Sequence, residues 1–166
     1  MTDATRYDRR MYAVMNDRRA QSLYATAARR RAVAGAHIAL TIAGIAAAVF
    51  WPGLWGGIAL LVLLLPWAVA TGAINGATRG LFELRGRMLD ERQLVERDRV
   101  RSIAHRVTGV LLAVGTLVAV VAPGSTGVRP DRMLVPLLAA ALVLHWLTPL
   151  WVAMLRVEDE PADDEA

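Results

Sequence analysis

Residues 54–78 read "LWGGIALLVLLLPWAVATGAINGAT" and contain no charged side chain. A helix needs roughly 20 apolar residues to cross a ~30 Å hydrocarbon core. An uncharged run this long, in a chain that is otherwise 20% charged, is the mark of a membrane span. Three more such stretches lie on either side of it. Ala32–Trp51 precedes it, Val107–Ala122 follows with a start near Ile103, and Met133–Leu155 comes last. The predicted spans are therefore about 32–51, 54–78, 103–122 and 133–155. The chain is 55% hydrophobic, above the share usual in soluble domains, and the excess is concentrated in these four stretches. The first span is too long for the apolar region of a cleaved leader and lies behind a long charged arm, so it is expected to stay.

Arginine placement orients the spans. All 19 basic residues are arginine. With abundant Ala, Gly and Val, this reads as the bias of a GC-rich genome, so the lack of lysine carries no functional weight. Eight arginines fall in residues 1–31, eight in residues 79–106, and Arg156 closes the fourth span. The turn at Pro52-Gly53 has none, and the loop 123–132 has only Arg129 and Arg132. Loops rich in arginine stay on the cytoplasmic side. The pattern predicts two hairpins in the plasma membrane, with both termini and the 79–106 loop cytoplasmic. The tail 156–166, "RVEDEPADDEA", does not oppose this, because acids count little in that rule. It is too charged and too poor in apolar residues to fold by itself.

The loop reads "RGLFELRGRMLDERQLVERDRVRSIAHR", residues 79–106. Glu83 and Arg87, Arg87 and Glu91, and Arg92 and Glu96 are four apart; Glu96 and Arg99, and Asp98 and Arg101, are three apart. These spacings place opposite charges side by side on a helix. Gly80 and Gly86 interrupt the early part, so the predicted helix starts near Met88 or Asp90 and runs into span three through Val100, Ile103 and Val107. "LDERQLVERDRVRSIAHRV", residues 89–107, resembles a pattern in small bacterial multi-span membrane proteins with a DERQ- or DERE-type cytoplasmic loop. The matched positions are Asp90, Glu91, Arg92 and Gln93, then Arg97 and Asp98. The resemblance implies no catalytic residue; it implies a membrane-bound regulatory role beside small DNA-binding regulators. The long N-terminal arm departs from that pattern.

That arm, residues 1–31, is basic. Tyr7, Met11, Val14 and Met15 fall at helical spacing, with Arg9, Arg10, Arg18 and Arg19 on other faces. This predicts an amphipathic helix lying on anionic lipid. The same residues could grip nucleic acid, but no reading motif accompanies them, and nucleic acid is not an expected partner.

Within the spans, Gly72, Gly76 and Gly80 recur every four residues, a spacing that lets helices pack closely, within the chain or in a homo-oligomer. Gly44 and Ala48, and Gly115 and Ala119, repeat the pattern. Pro66 and Pro149 interrupt spans two and four and predict kinks. Phe50, Trp51 and Trp55 bracket the first turn as interfacial aromatics, and Trp146 and Trp151 fit that role less well. His37, Asn75 and His145 are the polar candidates inside the spans. A neutral His37 bonded to Thr41 or a backbone carbonyl is the simplest account of it; a haem iron between His37 and His145 is a further possibility.

The composition excludes much. There is no cysteine, hence no disulfide, thiolate metal site or cysteine nucleophile. No acid lies inside a span, which argues against a proton-coupled pump. No phosphate-binding loop, GxSxG, kinase signature or metal-ligand spacing is present.

The predicted architecture is an all-α integral membrane protein of four transmembrane helices, with an N-terminal amphipathic helix and a charged cytoplasmic connector helix. Its parts are a basic arm (1–31), a four-span domain (32–155) and an acidic disordered tail (156–166). The expected role is non-enzymatic: a regulatory or accessory partner docking cytoplasmic or membrane proteins through its charged loop. A small transporter, channel or transporter subunit working through Pro66, Asn75 and His145 is the first alternative. A haem- or quinone-binding subunit using His37 and His145 is the second. Membrane lipids, a cytoplasmic protein and a second copy are the expected partners. No catalytic residue, metal or cofactor is expected.

Overall fold

A computed structural model of the chain describes residues 4–17, 24–51, 53–126 and 130–157. Among them are five α-helices, a single 3-10 turn and no strand. The helices are α1 (Arg6–Met15), α2 (Ala27–Phe50), α3 (Leu54–Ala77), α4 (Glu91–Thr126) and α5 (Pro130–Arg156). The last four are long and apolar enough to cross a membrane, which is the make-up of a multi-pass membrane protein. The expectation of an acidic disordered tail falls on residues 158–166, and part of the basic arm on 1–3 and 18–23, outside the described residues.

Local chemistry sets the helix ends. Thr5 and Asp8 form a capping box at α1: the Asp8 amide donates to Thr5 Oγ1, and the Thr5 amide donates to Asp8 Oδ2 at 2.8 Å. Thr26 caps α2, which begins five residues before the predicted span because Arg29, Arg30 and Arg31 are already helical. The turn from α2 to α3 requires two glycines. Gly53 has φ +91°, and a Cβ on Gly56 would lie 1.6 Å from the Trp51 carbonyl oxygen.

Helix α3 runs through Pro66 unbroken and ends in a Schellman motif, in which the Gly80 amide donates to the Asn75 carbonyl and the Arg79 amide to that of Gly76. Arg79 takes the left-handed position with φ 53°, where glycine is usual. Asp90 and Gln93 form a second capping box at α4: the Gln93 amide donates to Asp90 Oδ1 at 2.7 Å, and the Asp90 amide to Gln93 Oε1 at 3.1 Å. Half of the DERQ motif is thus a helix start. With 36 residues, α4 is about 54 Å long, well beyond a hydrocarbon core.

The packing is asymmetric. Helices α2, α3 and α5 pack on one another, while α4 packs on α5 and hardly touches the other two. Among the described residues of α4, the buried ones are Val100, Ala104 and Thr108, at four-residue spacing, and Val100 packs with Ala153 of α5. One core cluster joins Ala34 of α2, Ile74 of α3 and Leu147, Trp151 and Met154 of α5. A smaller one joins Leu81, Val100 and Ala153. Both lie toward the end where α3 leaves, α4 begins and α5 stops, here called the connector end. The other end carries the Trp51–Gly53 turn.

The glycine stripe does not pack as predicted. Gly80 lies beyond α3 in the turn, with φ +67°, and a Cβ on Gly72 or Gly76 would meet nothing. Close approach within the chain therefore does not use these glycines.

The connector charges also pair differently from the helical spacing. Among the described residues, Asp98 and Arg101 are the one pair that forms as the helical spacing predicts, at 3.9 Å. Glu83 accepts from Asn75, Arg87 reaches Asp8, and Glu96 accepts from Arg156 at 3.1 Å. The charges tie elements together more than they decorate one helix.

In the arm, Met15 of α1 packs against Gly80 and Asp8 is buried, so part of α1 lies on the protein's own connector. Tyr7 and Val14 remain exposed.

Candidate functional site

Two polar regions lie along the α2–α3–α5 seam. The first is centred on His37, which is 0% exposed. Trp151 Nε1 donates to His37 Nδ1 at 2.9 Å, so that nitrogen carries a lone pair. The proton of the neutral ring is then on Nε2, 2.9 Å from Thr71 Oγ1. Thr71 in turn donates to the Trp67 carbonyl at 2.9 Å. A second branch closes the network: Trp67 Nε1 donates to Thr41 Oγ1 at 3.0 Å, and Thr41 donates to the His37 carbonyl at 2.8 Å. The His37 ring also lies tilted on Trp67 (centroids 5.0 Å apart) and edge-on to Trp151 (6.1 Å). Three helices contribute, and both His37 nitrogens are engaged. Such a network fixes which helix faces meet and at what height. A haem iron on His37 would have to displace Trp151 or Thr71.

His145 is not part of it. It is exposed on the opposite side of α5 from Leu147 and Trp151, next to Trp146. The structure therefore does not bring His37 and His145 together as a ligand pair. Toward the turn end, an apolar groove of about 460 Å³ lies over Thr41 and Trp67, with Gly44, Leu60 and Ala140 in its walls.

The second region is the connector end. Ile74 and Met154, both fully buried, separate it from the histidine network. Arg30 is buried there. Its guanidinium donates to the carbonyls of Tyr24 (3.1 Å), Ala25 (2.8 Å) and Val157 (2.7 Å), tying the start of α2 to the end of α5. Beside it opens a cleft of about 930 Å³ between the α2–α3 ends and α4. Arg79, Arg92, Arg99 and Arg156 line its sides together with Asp90, Glu91 and Glu96, and Leu81, Val100 and Ala153 form apolar wall.

The predicted docking residues fall on the start of α4 and do different things. Asp90 and Gln93 cap the helix, Glu91 and Arg92 are exposed on the cleft, and Asp98 is exposed toward Arg101. Arg97 is half buried, and its Nε finds no hydrogen-bond partner among the described residues. Asn75 donates to Glu83 Oε1 at 3.1 Å, which ties the end of α3 to the turn that follows it.

Alongside the cleft, α1 is held by Asp8. Hydrogen bonds from the Thr5 amide hold its carboxyl at about 2; burial opposes this, and the Thr5 hydroxyl and Arg87 reinforce it. Arg85 Nε lies 3.6 Å from the same carboxylate. Sequence reading missed Asp8, Arg30, Trp67 and Trp151. The Thr-x-x-Asp spacing at 5–8 was the available signal for the first. No family model, no curated protein and no solved structure matches this chain.

Proposed function

We propose that this is a non-enzymatic multi-pass protein of the plasma membrane, with its connector end in the cytoplasm, that works by binding there. The observation that carries this is a contrast between the two polar regions. The buried network is satisfied within the chain and offers no free group to a passing substrate. The connector end holds an open, arginine-lined cleft beside a helix that outruns the hydrocarbon core. The regulatory or accessory role, with a cytoplasmic protein as partner, follows from that exposed end and from the resemblance of residues 89–107. The placement of arginine supports the orientation. The exposed Tyr7 and Val14 flank of α1 supports contact with the membrane surface.

The cysteine-free chain makes the test direct. Asp98→Cys and Trp51→Cys are both at exposed positions. In intact cells a membrane-impermeant maleimide should label position 51 and reach position 98 only after permeabilisation. The reverse pattern overturns the orientation. A photo-crosslinker at position 98 should then trap a protein at the connector end, while one at Trp146, which is 72% exposed on α5, traps none. Equal trapping at the two positions removes the docking role.

A further inference from the structure

The cleft at the connector end has a chemistry more specific than docking. Along α4, Arg92, Glu96 and Arg99 recur at the four- and three-residue spacing of one helix face, and all three line it. The acids there are mostly committed. Glu96 holds Arg156 at 3.1 Å, and Asp90 caps α4 through the Gln93 amide. Arg92 and Arg99 are exposed and have no ion pair among the described residues. Among the described residues that line the cleft, Glu91 is the one acid without a hydrogen-bond or ion-pair partner.

The wall below the arginines is apolar. Val100 is buried against Leu81 and Ala153, one turn inside the last residues of α5. Since α4 leans on α5, the space between α4 and the α2–α3 hairpin is not closed by helix packing. The exposed Val107, Val110 and Val114 of α4 continue that apolar surface away from the connector end.

We propose that this cleft is a binding site for an anionic phospholipid. The phosphate sits between Arg92 and Arg99, and the acyl chains run down the open side of α4. The proposal rests on the reading of the four long helices as membrane spans. On that reading span three begins between Ile103 and Val107, so Arg92 and Arg99 lie on its headgroup side, with the exposed Arg106 at the boundary. A guanidinium pair suits a phosphate, which accepts parallel hydrogen bonds from it. A free phosphate would leave the apolar wall uncovered, and so would an acidic peptide. A phospholipid covers both halves.

The experiment uses the full chain in mild detergent and reads bound lipid by native mass spectrometry. Phosphatidylglycerol and phosphatidylcholine with identical acyl chains are titrated in turn. One phosphatidylglycerol per chain should be retained in preference to phosphatidylcholine. The double variant Arg92→Gln/Arg99→Gln should weaken retention roughly ten- to thirtyfold, from about 1 kcal/mol per arginine near an anionic surface. Arg92→Lys/Arg99→Lys should restore most of it, which separates loss of charge from loss of fold. Unchanged retention in the glutamine variant overturns the site, as does equal retention of the two lipids. Competition by millimolar inorganic phosphate at the lipid's own strength makes it a free-phosphate site and overturns the lipid. Retention that emerges only in Glu158→Gln/Asp159→Asn/Glu160→Gln assigns the cleft to the chain's own acids and overturns it too. None of these readings depends on which face of the membrane the cleft occupies. A reversed labelling pattern at positions 51 and 98 therefore counts against the proposed orientation and leaves this site standing.

Discussion

At the connector end, side chains cross between elements: Arg30 reaches Val157, Arg156 reaches Glu96, Arg87 reaches Asp8 and Asn75 reaches Glu83. Beyond Thr41 and Trp67, toward the turn end, no side-chain hydrogen bond between helices is found among the described residues. Instead Leu65, Val120 and Val135 point outward, each more than 70% exposed. In water so much exposed apolar surface would drive aggregation. In a bilayer it faces acyl chains of equal polarity, and burying it against another helix gains little. The contrast teaches where structural specificity resides in such a chain. It lies in the few polar groups that must find a fixed partner, and the apolar half follows.

Breaking the polar seam should therefore cost far more than altering the smooth half. His37→Ala should have the largest effect. It opens a cavity among Thr71, Trp67 and Trp151 and leaves the Trp151 N–H and the Thr71 hydroxyl without their partner. Roughly 2–4 kcal/mol is expected from a cavity plus two intramembrane hydrogen bonds. Thermal unfolding followed by circular dichroism in detergent measures it, and a melting temperature equal to the parent's would remove the network from its central place.

Next comes Gly80→Ala. The new Cβ would lie 2.8 Å from Met15 Cγ at a residue with φ +67°, costing about 1–2 kcal/mol through the left-handed backbone. Helix α1 should lift from the connector while α2–α5 stay folded. Hydrogen exchange across residues 6–15 should accelerate, with α3 and α5 unchanged; uniform acceleration would mean that α1 is integral to the bundle.

The same docking should respond to pH through Asp8. Its carboxyl is held at about 2 by the Thr5 cap first and by Arg87 of the connector after it, and returns to the ordinary 3.8 only when α1 both uncaps and undocks. A depressed value means that the ionised form favours the capped, docked helix. The contribution is therefore complete above about pH 4 and disappears as pH falls through 2. Exchange in residues 6–15 should rise over that window in the parent and stay flat in Asp8→Asn.

The smallest effect sharpens the contrast from the other side. Leu61 is 70% exposed on α3, and Leu61→Ala should shift stability by less than about 0.5 kcal/mol. A loss comparable with that of His37→Ala would show that the outward face is covered, as it would be in an oligomer.

Much of the fold was legible because charge is forbidden in a span, so uncharged length alone marked all four long helices. Their ends were less legible. Helix α2 starts early because a helix continues through arginines at a membrane boundary. The connector helix reads continuously into α4, as Val100, Ile103 and Val107 indicated. The site was legible only in part. His37 stood out as a polar residue within a span, but its ring partners, Thr71 and Trp151, are far away in sequence, and Trp151 fitted the interfacial role poorly with no other role in view. The DERQ run looked like a docking motif, although the spacing of Asp90 and Gln93 equally fits a capping box. The glycine spacing did not show where it would be used: within the chain, Gly72 and Gly76 face open space. Charge pairing misled for a related reason. Helical spacing shows only partners on the same helix, and Arg87, Glu96 and Glu83 found theirs elsewhere.

The bond between Trp151 and His37 spans 114 residues and joins the first long helix to the last. During synthesis α2 and α3 are made first, and His37, Thr41, Trp67 and Thr71 can meet as soon as that hairpin forms. His37 Nδ1 then has no indole to accept from until α5 is made. At about 5–20 residues per second the 80 residues from Thr71 to Trp151 take roughly 4–16 s. Through that time the newborn hairpin holds a polar acceptor unsatisfied, a condition that disfavours it as a finished product and favours capture of the last helix. The histidine thus sets a direction in time: the bundle is complete only once its final segment has emerged from the ribosome.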